Sequence, residues 1–169
     1  MALQQNGIAY AWGINYSGLG DGIHISSNVP LQISNTMFWK KVAIGTSHNA
    51  LQHTDGSLWS WGVSNHGLFG NDDPVSVPTL VNSDITWNQF SLGSGHILAT
   101  KNDGSLWAWG SNSSGTIGDG TIIDKWKLTQ VGLDSNWASF SVAGHVLASK
   151  TDGSLWVWGS NYFGQFGDS

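Results

Sequence analysis

An all-β chain of repeated, roughly four-stranded units is predicted, and three observations predict it. The pair Trp-Gly recurs at Trp12-Gly13, Trp61-Gly62, Trp109-Gly110 and Trp158-Gly159, at spacings of 49, 48 and 49 residues. Ahead of three of these pairs stands one run: Asp55-Gly56-Ser57-Leu58-Trp59, Asp103-Gly104-Ser105-Leu106-Trp107 and Asp152-Gly153-Ser154-Leu155-Trp156. In each run large and small side chains then alternate, which is the period of a half-buried strand. The third observation is negative: no segment carries the apolar spacing of an amphipathic helix.

The first unit opens at Asn6-Gly7-Ile8-Ala9-Tyr10, with Tyr in place of the first Trp. It runs into Asn15-x-x-Gly18-Leu19-Gly20-Asp21-Gly22, one residue shorter than the same loop elsewhere. In the second unit, Trp39-x-x-Val42 leads to His48, a strand over about 48–53 turns at Asp55-Gly56, and a Trp strand returns over about 57–62. Asp-Gly predicts a type I′ hairpin turn, in which both central residues take positive φ. The third unit repeats this from Trp87 to Leu92, through His96, to Asp103-Gly104. The fourth runs from Trp137-x-x-Phe140 to His145, one residue shorter between Trp and His. Each of the three histidines stands seven residues before its Asp-Gly. Short apolar runs at Pro78–Val81 and Leu128–Val131 supply fourth strands. About four strands per 48–49 residues is the grammar of a β-propeller blade.

One propeller-repeat domain over residues 1–169 is therefore expected, with a partial repeat at 1–37 and repeats at about 38–86, 87–136 and 137–169, the last incomplete. Three repeats and a half make an incomplete ring. Such an arc exposes strand edges and the apolar flanks of its end blades. The chain stops at Gly167-Asp168-Ser169, where the linker to a next repeat begins. It is expected to be a piece of a longer protein, to complete a ring with identical chains, or to dock on another protein.

The unit Gly-x-x-His, then Asp-Gly-x-Leu-Trp-x-Trp-Gly-x-Asn, then Gly-Gln-Phe-Gly-Asp resembles the repeat of the regulator of chromosome condensation family. The resemblance covers nearly the whole chain and implies a propeller whose familiar members have seven blades. It also implies the activity of the family's name-giving member, nucleotide exchange on a small GTPase with chromatin attachment. Two departures stand out: Val142 occupies the place of Gly45 and Gly93, and Gly70-Asn71 replaces the Gly118-Asp119 pair.

Composition narrows the function. Six Lys and no Arg stand against eleven Asp and no Glu, giving a net charge of −5. Phosphate and nucleic-acid recognition lean on Arg, so no nucleic-acid partner is expected and the exchange reading loses its basic surface. The absence of Cys excludes thiol chemistry and Cys-based zinc sites. No stretch approaches the length of a membrane span, and the start Met1-Ala2-Leu3-Gln4 has no basic, apolar leader pattern. A soluble chain, cytoplasmic or on a virion surface, is the expectation.

Candidate residues follow from the repeat background. His48, His96 and His145 sit once per blade, so they are expected to point into different blades and to hydrogen-bond local backbone rather than share a metal. His24, His53 and His66 form no metal spacing. Trp61, Trp109 and Trp158 read as packing between blades. Asp21, Asp119 and Asp168 read as turn caps, and Asp72-Asp73 lacks a calcium-loop context. Trp126, between Lys125 and Lys127, stands in a linker without a counterpart and suits an interface anchor. Tyr16, His66, Tyr162 and Phe163 join it as candidate partner-binding residues. No catalytic residue, cofactor or metal is expected.

The function expected is a non-enzymatic structural or protein-interaction module. It presents the variable loops at roughly 14–30, 63–78 and 111–127 to a protein partner or to its own copies. A virion or phage surface component fits the composition. The alternatives are a guanine nucleotide exchange regulator, implied by the resemblance, and a lectin-like propeller stacking Tyr16, Tyr162 and Phe163 on glycans.

Overall fold

The computed structural model describes residues 1–15, 18–23, 25–34, 38–63, 68–69, 73–83 and 86–167. Among them the chain forms strands and no helix, so no helix is long and apolar enough to cross a membrane. The strands make four antiparallel sheets. The first blade holds β1 (Ala2–Leu3), β2 (Ala9–Gly13) and β3 (Ser27–Ile33). The second holds β4 (Trp39–Ile44), β5 (His48–His53), β6 (Leu58–Gly62) and β7 (Val75–Leu80). The third holds β8 (Trp87–Leu92), β9 (His96–Lys101), β10 (Leu106–Gly110) and β11 (Lys125–Gln130). The fourth holds β12 (Trp137–Val142), β13 (His145–Lys150) and β14 (Leu155–Gly159).

Within each sheet the strands follow chain order. β4, β8 and β12 touch in succession, and β1 touches β4, so these strands form the inner edge of an arc. β7 and β11 lie at the opposite edge of their sheets and form the rim. The sheets do not close into a ring. Among the described residues, two four-stranded blades are flanked by two three-stranded ones: the first lacks a counterpart of β4, the fourth a counterpart of β7 and β11.

The core lies between blades, not within them. Ala9, Ile33, Trp39, Leu51 and Trp61 fill the first seam, and Leu58, Trp87, Ile97 and Trp109 the second. Leu106, Ile117, Trp137 and Val146 fill the third. The alternation of the Trp strand produces this, because residues two apart share a face and that face meets the neighbouring blade. Each large apolar side chain fully buried in this way contributes about 2 kcal/mol.

The Asp-Gly turns differ from the type I′ expectation. The Gly56 N–H donates to the His53 carbonyl at 3.0 Å and the His53 N–H to the Ser57 carbonyl at 2.9 Å. Only the glycine takes positive φ, +90° at Gly56, while Asp55 does not. This is a three-residue loop with a left-handed glycine. It recurs at Gln4–Ile8, Lys101–Ser105 and Lys150–Ser154. Asp is favoured there for its side chain: Asp55 Oδ1 accepts from the Ser57 N–H at 2.8 Å and its hydroxyl at 2.6 Å, and Ser57 Oγ accepts from the Trp59 indole at 3.0 Å. Asp103–Ser105–Trp107 and Asp152–Ser154–Trp156 repeat the relay.

Gly62 shows why Trp is followed by Gly. Its φ is +130°, and a Cβ there would lie 2.5 Å from the Ser47 carbonyl oxygen and 2.6 Å from the His48 Cα. The chain also departs from expectation in the fourth blade. Ala143, not Val142, takes the place of Gly45 and Gly93: the Gly45, Gly93 and Ala143 N–H groups donate to the carbonyls of His48, His96 and His145. Val142 instead pairs with Val146 at the end of the β12 ladder. The missing residue shortens the loop, not the strand.

Candidate functional site

The rim strands of the first three blades leave a groove at each of the first two seams. Between the first and second blades the groove holds about 390 Å³ and is lined by Gln32, Ser34, Trp39, Trp59, Val77 and Pro78, with Gly20 and Asp21. Between the second and third it holds about 410 Å³. Phe69, Leu80 and Val81 form one wall and Trp109, Trp126 and Leu128 the other, with Lys127 beside them. The two grooves are repeats of one another. Trp59 pairs with Leu80 and Trp107 with Gln130, which places Val77 and Pro78 level with Lys127 and Leu128.

That register also places Trp126 level with Ser76, so the second groove carries an indole on its rim strand where the first has a serine. Trp126 lies inside β11, not in a linker as the sequence suggested. It falls where the ladder slips between Ala108 and Gly110, and this leaves it 45% exposed. Rim strands start earlier than the apolar runs implied. β3, β7 and β11 therefore claim the ends of the segments read as loops at 14–30, 63–78 and 111–127.

Charge around the second groove is arranged by the loop beneath it. Lys125 Nζ lies 2.6 Å from Asp119 Oδ2. Burial pushes the Asp119 carboxyl upward, but donation from Lys125 and Thr121 outweighs it and holds the group below its ordinary value. Asp119 Oδ1 also accepts from the Thr121 N–H at 3.1 Å, and Asp21 Oδ1 from the Ile23 N–H at 2.9 Å, so both cap turns. Asp168 lies outside the described residues. Lys127 is left as the groove's ammonium. The chemistry on offer is an apolar wall, an indole and one positive charge, which suits docking of an extended chain.

The other candidates fall elsewhere. Tyr162 and Phe163 are 85% and 87% exposed on the loop after β14, with ring centroids 4.9 Å apart at 86°. Perpendicular rings make an edge-to-face pair, not one flat platform. Tyr16 and His66, like His24 and Asp72, lie outside the described residues. Trp61 and Trp109 are buried at 0% and 2%, and Trp158 is half-buried in the third seam.

Two of the histidines lie closer together than one per blade suggests. His48 and His96 are close enough that the charge of one depresses the other, because both begin second strands near the inner edge of adjacent blades. Their rings are closely packed: a Cβ on Gly45 would lie 2.8 Å from the His48 ring, and one on Gly93 2.3 Å from that of His96. Among the described residues, Nε2 of His96 has no hydrogen-bond partner, and the His96 backbone is the polar group that favours the protonated form of His48. Burial first, and then His96, pulls His48 down to about 4; burial pulls His96 to about 4. His145 keeps the register, opposite Gly159, but is only half-buried.

Family models described as the regulator of chromosome condensation repeat match residues 55–100, 87–116 and 141–165, together just over half of the chain. The chain belongs to the regulator of chromosome condensation repeat family. Solved structures with the same fold include human WBSCR16, at 20% identity and a TM-score of 0.80 over 94% of this chain and 44% of that one. Yeast RCC1 (Prp20) bound to Kap60 matches at 23% identity and a TM-score of 0.78, over 94% and 39%. Prp20p from Saccharomyces cerevisiae, described with its binding to Gsp1p and histones, matches at 18% identity and a TM-score of 0.81, over 100% and 45%. This regulator-of-chromosome-condensation-type arc thus spans less than half the length of each.

Proposed function

We propose that this chain is a non-enzymatic, protein-binding propeller segment that engages its partner at the rim groove between the second and third blades. The observation that carries the reading is Trp126: a half-exposed indole, on a rigid strand, beside an apolar cleft and Lys127. Trp is enriched among residues that dominate interface energies, and a strand-borne indole loses little freedom on binding. Proteins of the same family supply the class of partner, since the Prp20 structures are described with Kap60, Gsp1p and histones. The net charge of −5 suits a basic protein such as a histone. A place on a virion or phage surface rests on composition alone and is the finer, separate part of this proposal.

The test is binding of purified Gsp1p and of histones to the chain and to Trp126→Ala. The expected result is a complex that the substitution weakens about tenfold or more, as an interface anchor should. Binding unchanged by Trp126→Ala removes the groove from the proposal, and binding to neither removes the partners shared with relatives. Exchange activity is the second reading, favoured by family membership. Faster nucleotide release from Gsp1p in the presence of the chain is the result that selects it.

A further inference from the structure

The internal seams show how one blade accepts the next. The Trp61 indole donates to the Gly18 carbonyl at 3.0 Å, and the Trp158 indole to the Thr116 carbonyl at 3.0 Å. The accepting turn is built by its own asparagine. Asn112 Oδ1 accepts from the Ile117 N–H at 2.9 Å, its carbonyl from the Gly115 N–H at 2.8 Å, and the Gly115 carbonyl from the Gly118 N–H at 3.1 Å. The incoming indole fills the space beside the last glycine, because a Cβ on Gly118 would lie 2.6 Å from Trp158 Nε1. Leu98, Leu106 and Ala108 behind this turn are all 0% exposed.

The fourth blade carries the same turn, already formed. Asn161 Oδ1 accepts from the Phe166 N–H at 3.0 Å, its carbonyl from the Gly164 N–H at 3.0 Å, and the Gly164 carbonyl from the Gly167 N–H at 3.0 Å. The Gln165 carbonyl stands where Thr116 accepts. A Cβ on Gly167 would meet nothing within 4 Å. Leu147, Leu155 and Val157, level with Leu98, Leu106 and Ala108, are 48%, 74% and 38% exposed. At the other end of the arc Trp12, level with Trp61, is 43% exposed. Among the described residues the arc thus presents a spare indole at its first blade and a spare turn at its fourth.

We propose that two copies of this chain join head to tail, Trp12 of one copy entering the Asn161–Gly167 turn of the other. The two surfaces are mates because their internal equivalents mate twice within the chain. The contact is heterologous, so it closes into a ring or grows, depending on the rotation between copies. It is also smaller than an internal seam, since the first blade brings Trp12 without a counterpart of Trp39 on an inner strand. Reversible, concentration-dependent association follows.

Light scattering over a wide concentration range tests this, on the chain and three variants. Trp12→Ala removes the indole. Gly167→Asn fills the space beside the turn without touching its own copy, and Asn tolerates the φ of +75°. Gly120→Asn, at φ +80° and likewise in open space, is the control. The expected result is a mass that rises above the monomer with concentration in the parent chain and in Gly120→Asn, and stays monomeric in the other two. A monomer at every concentration overturns the proposal. So does an oligomer that survives either Trp12→Ala or Gly167→Asn, which would mean that the exposed face of the fourth blade meets its own copy instead.

Discussion

The Trp61 indole reaches across a blade seam to the Gly18 carbonyl, 3.0 Å away and 43 residues earlier in the chain. Trp61 is fully buried, and a Cβ on Gly20 would lie 3.0 Å from its ring. One residue therefore fills the seam, satisfies a turn carbonyl and demands a glycine in the neighbouring blade.

Trp61→Phe keeps most of the apolar volume but removes the shorter of two donors to the Gly18 carbonyl, leaving Asn49 Nδ2 at 3.4 Å, and should cost about 1 kcal/mol. Trp61→Ala adds a cavity and should cost about 3–5 kcal/mol. Trp12→Ala, at a half-exposed site, should stay within about 1 kcal/mol in the monomer. Urea denaturation of the three variants measures the order, and equal losses at positions 12 and 61 would refute the seam argument.

The Asp–Ser–Trp relay predicts a graded series. Ser105 is 5% exposed and Trp107 is half-buried, so water replaces the lost partner less readily and Ser105→Ala should cost about 1–2 kcal/mol. Trp156 is 47% exposed, so water replaces Ser154, and Ser154→Ala should cost less than about 1 kcal/mol. Asp55 adds a pH signature. Donation from the Ser57 hydroxyl first, and then from its N–H, lowers Asp55 to about 2. Its contribution is present above the ordinary value of 3.8 and is lost as pH falls through about 2. Asp55→Asn should therefore be less stable than the parent at neutral pH, with the gap closing in strong acid.

Legibility in the sequence followed the repeat. The His and Trp strands read at about 48–53 and 57–62 are β5 and β6, His48–His53 and Leu58–Gly62, because their residues recur in register. The rim strands were less legible: Ser27–Ile33 and Val75–Leu80 share Val-Pro in register, but no residue is common to all three once Lys125–Gln130 is included, since their outer edges pack on little that constrains them. That is why Trp126 reads as a linker residue and its groove is invisible until the strands are in place. His48 and His96 read as separate for a related reason. Forty-eight residues of chain run out to the rim and back, and the two meet at the inner edge. The glycine turns hid their type because Asp-Gly serves two loop geometries, and only the hydrogen bonds decide between them.

Gly62→Ala tests the Trp-Gly step. The φ of +130° and the 2.5 Å approach to the Ser47 carbonyl are both backbone constraints, so no side-chain motion relieves them. A loss of several kcal/mol is expected, about 3 or more, against about 1–2 for Gly132→Ala, where φ is +65° but the space is open. Thermal unfolding of the two variants compares them directly.

The buried histidines make the fold acid-sensitive well above the carboxylate range. In the unfolded chain His48 and His96 titrate near 6.5, and in the fold near 4. Between those values the unfolded state binds protons that the folded state refuses, so stability is full above about 6.5 and declines as pH falls toward 4, below which this term no longer changes. Each ring, 1% and 2% exposed, accounts for up to about 3 kcal/mol of that decline. Denaturation midpoints taken from pH 7 to pH 4 should fall steeply, and NMR titration at pH 5 should find both imidazoles neutral. A midpoint flat across that interval, or an imidazolium at either position at pH 5, would show that water or a partner group reaches the rings, and that the packing against Gly45 and Gly93 is not what holds them.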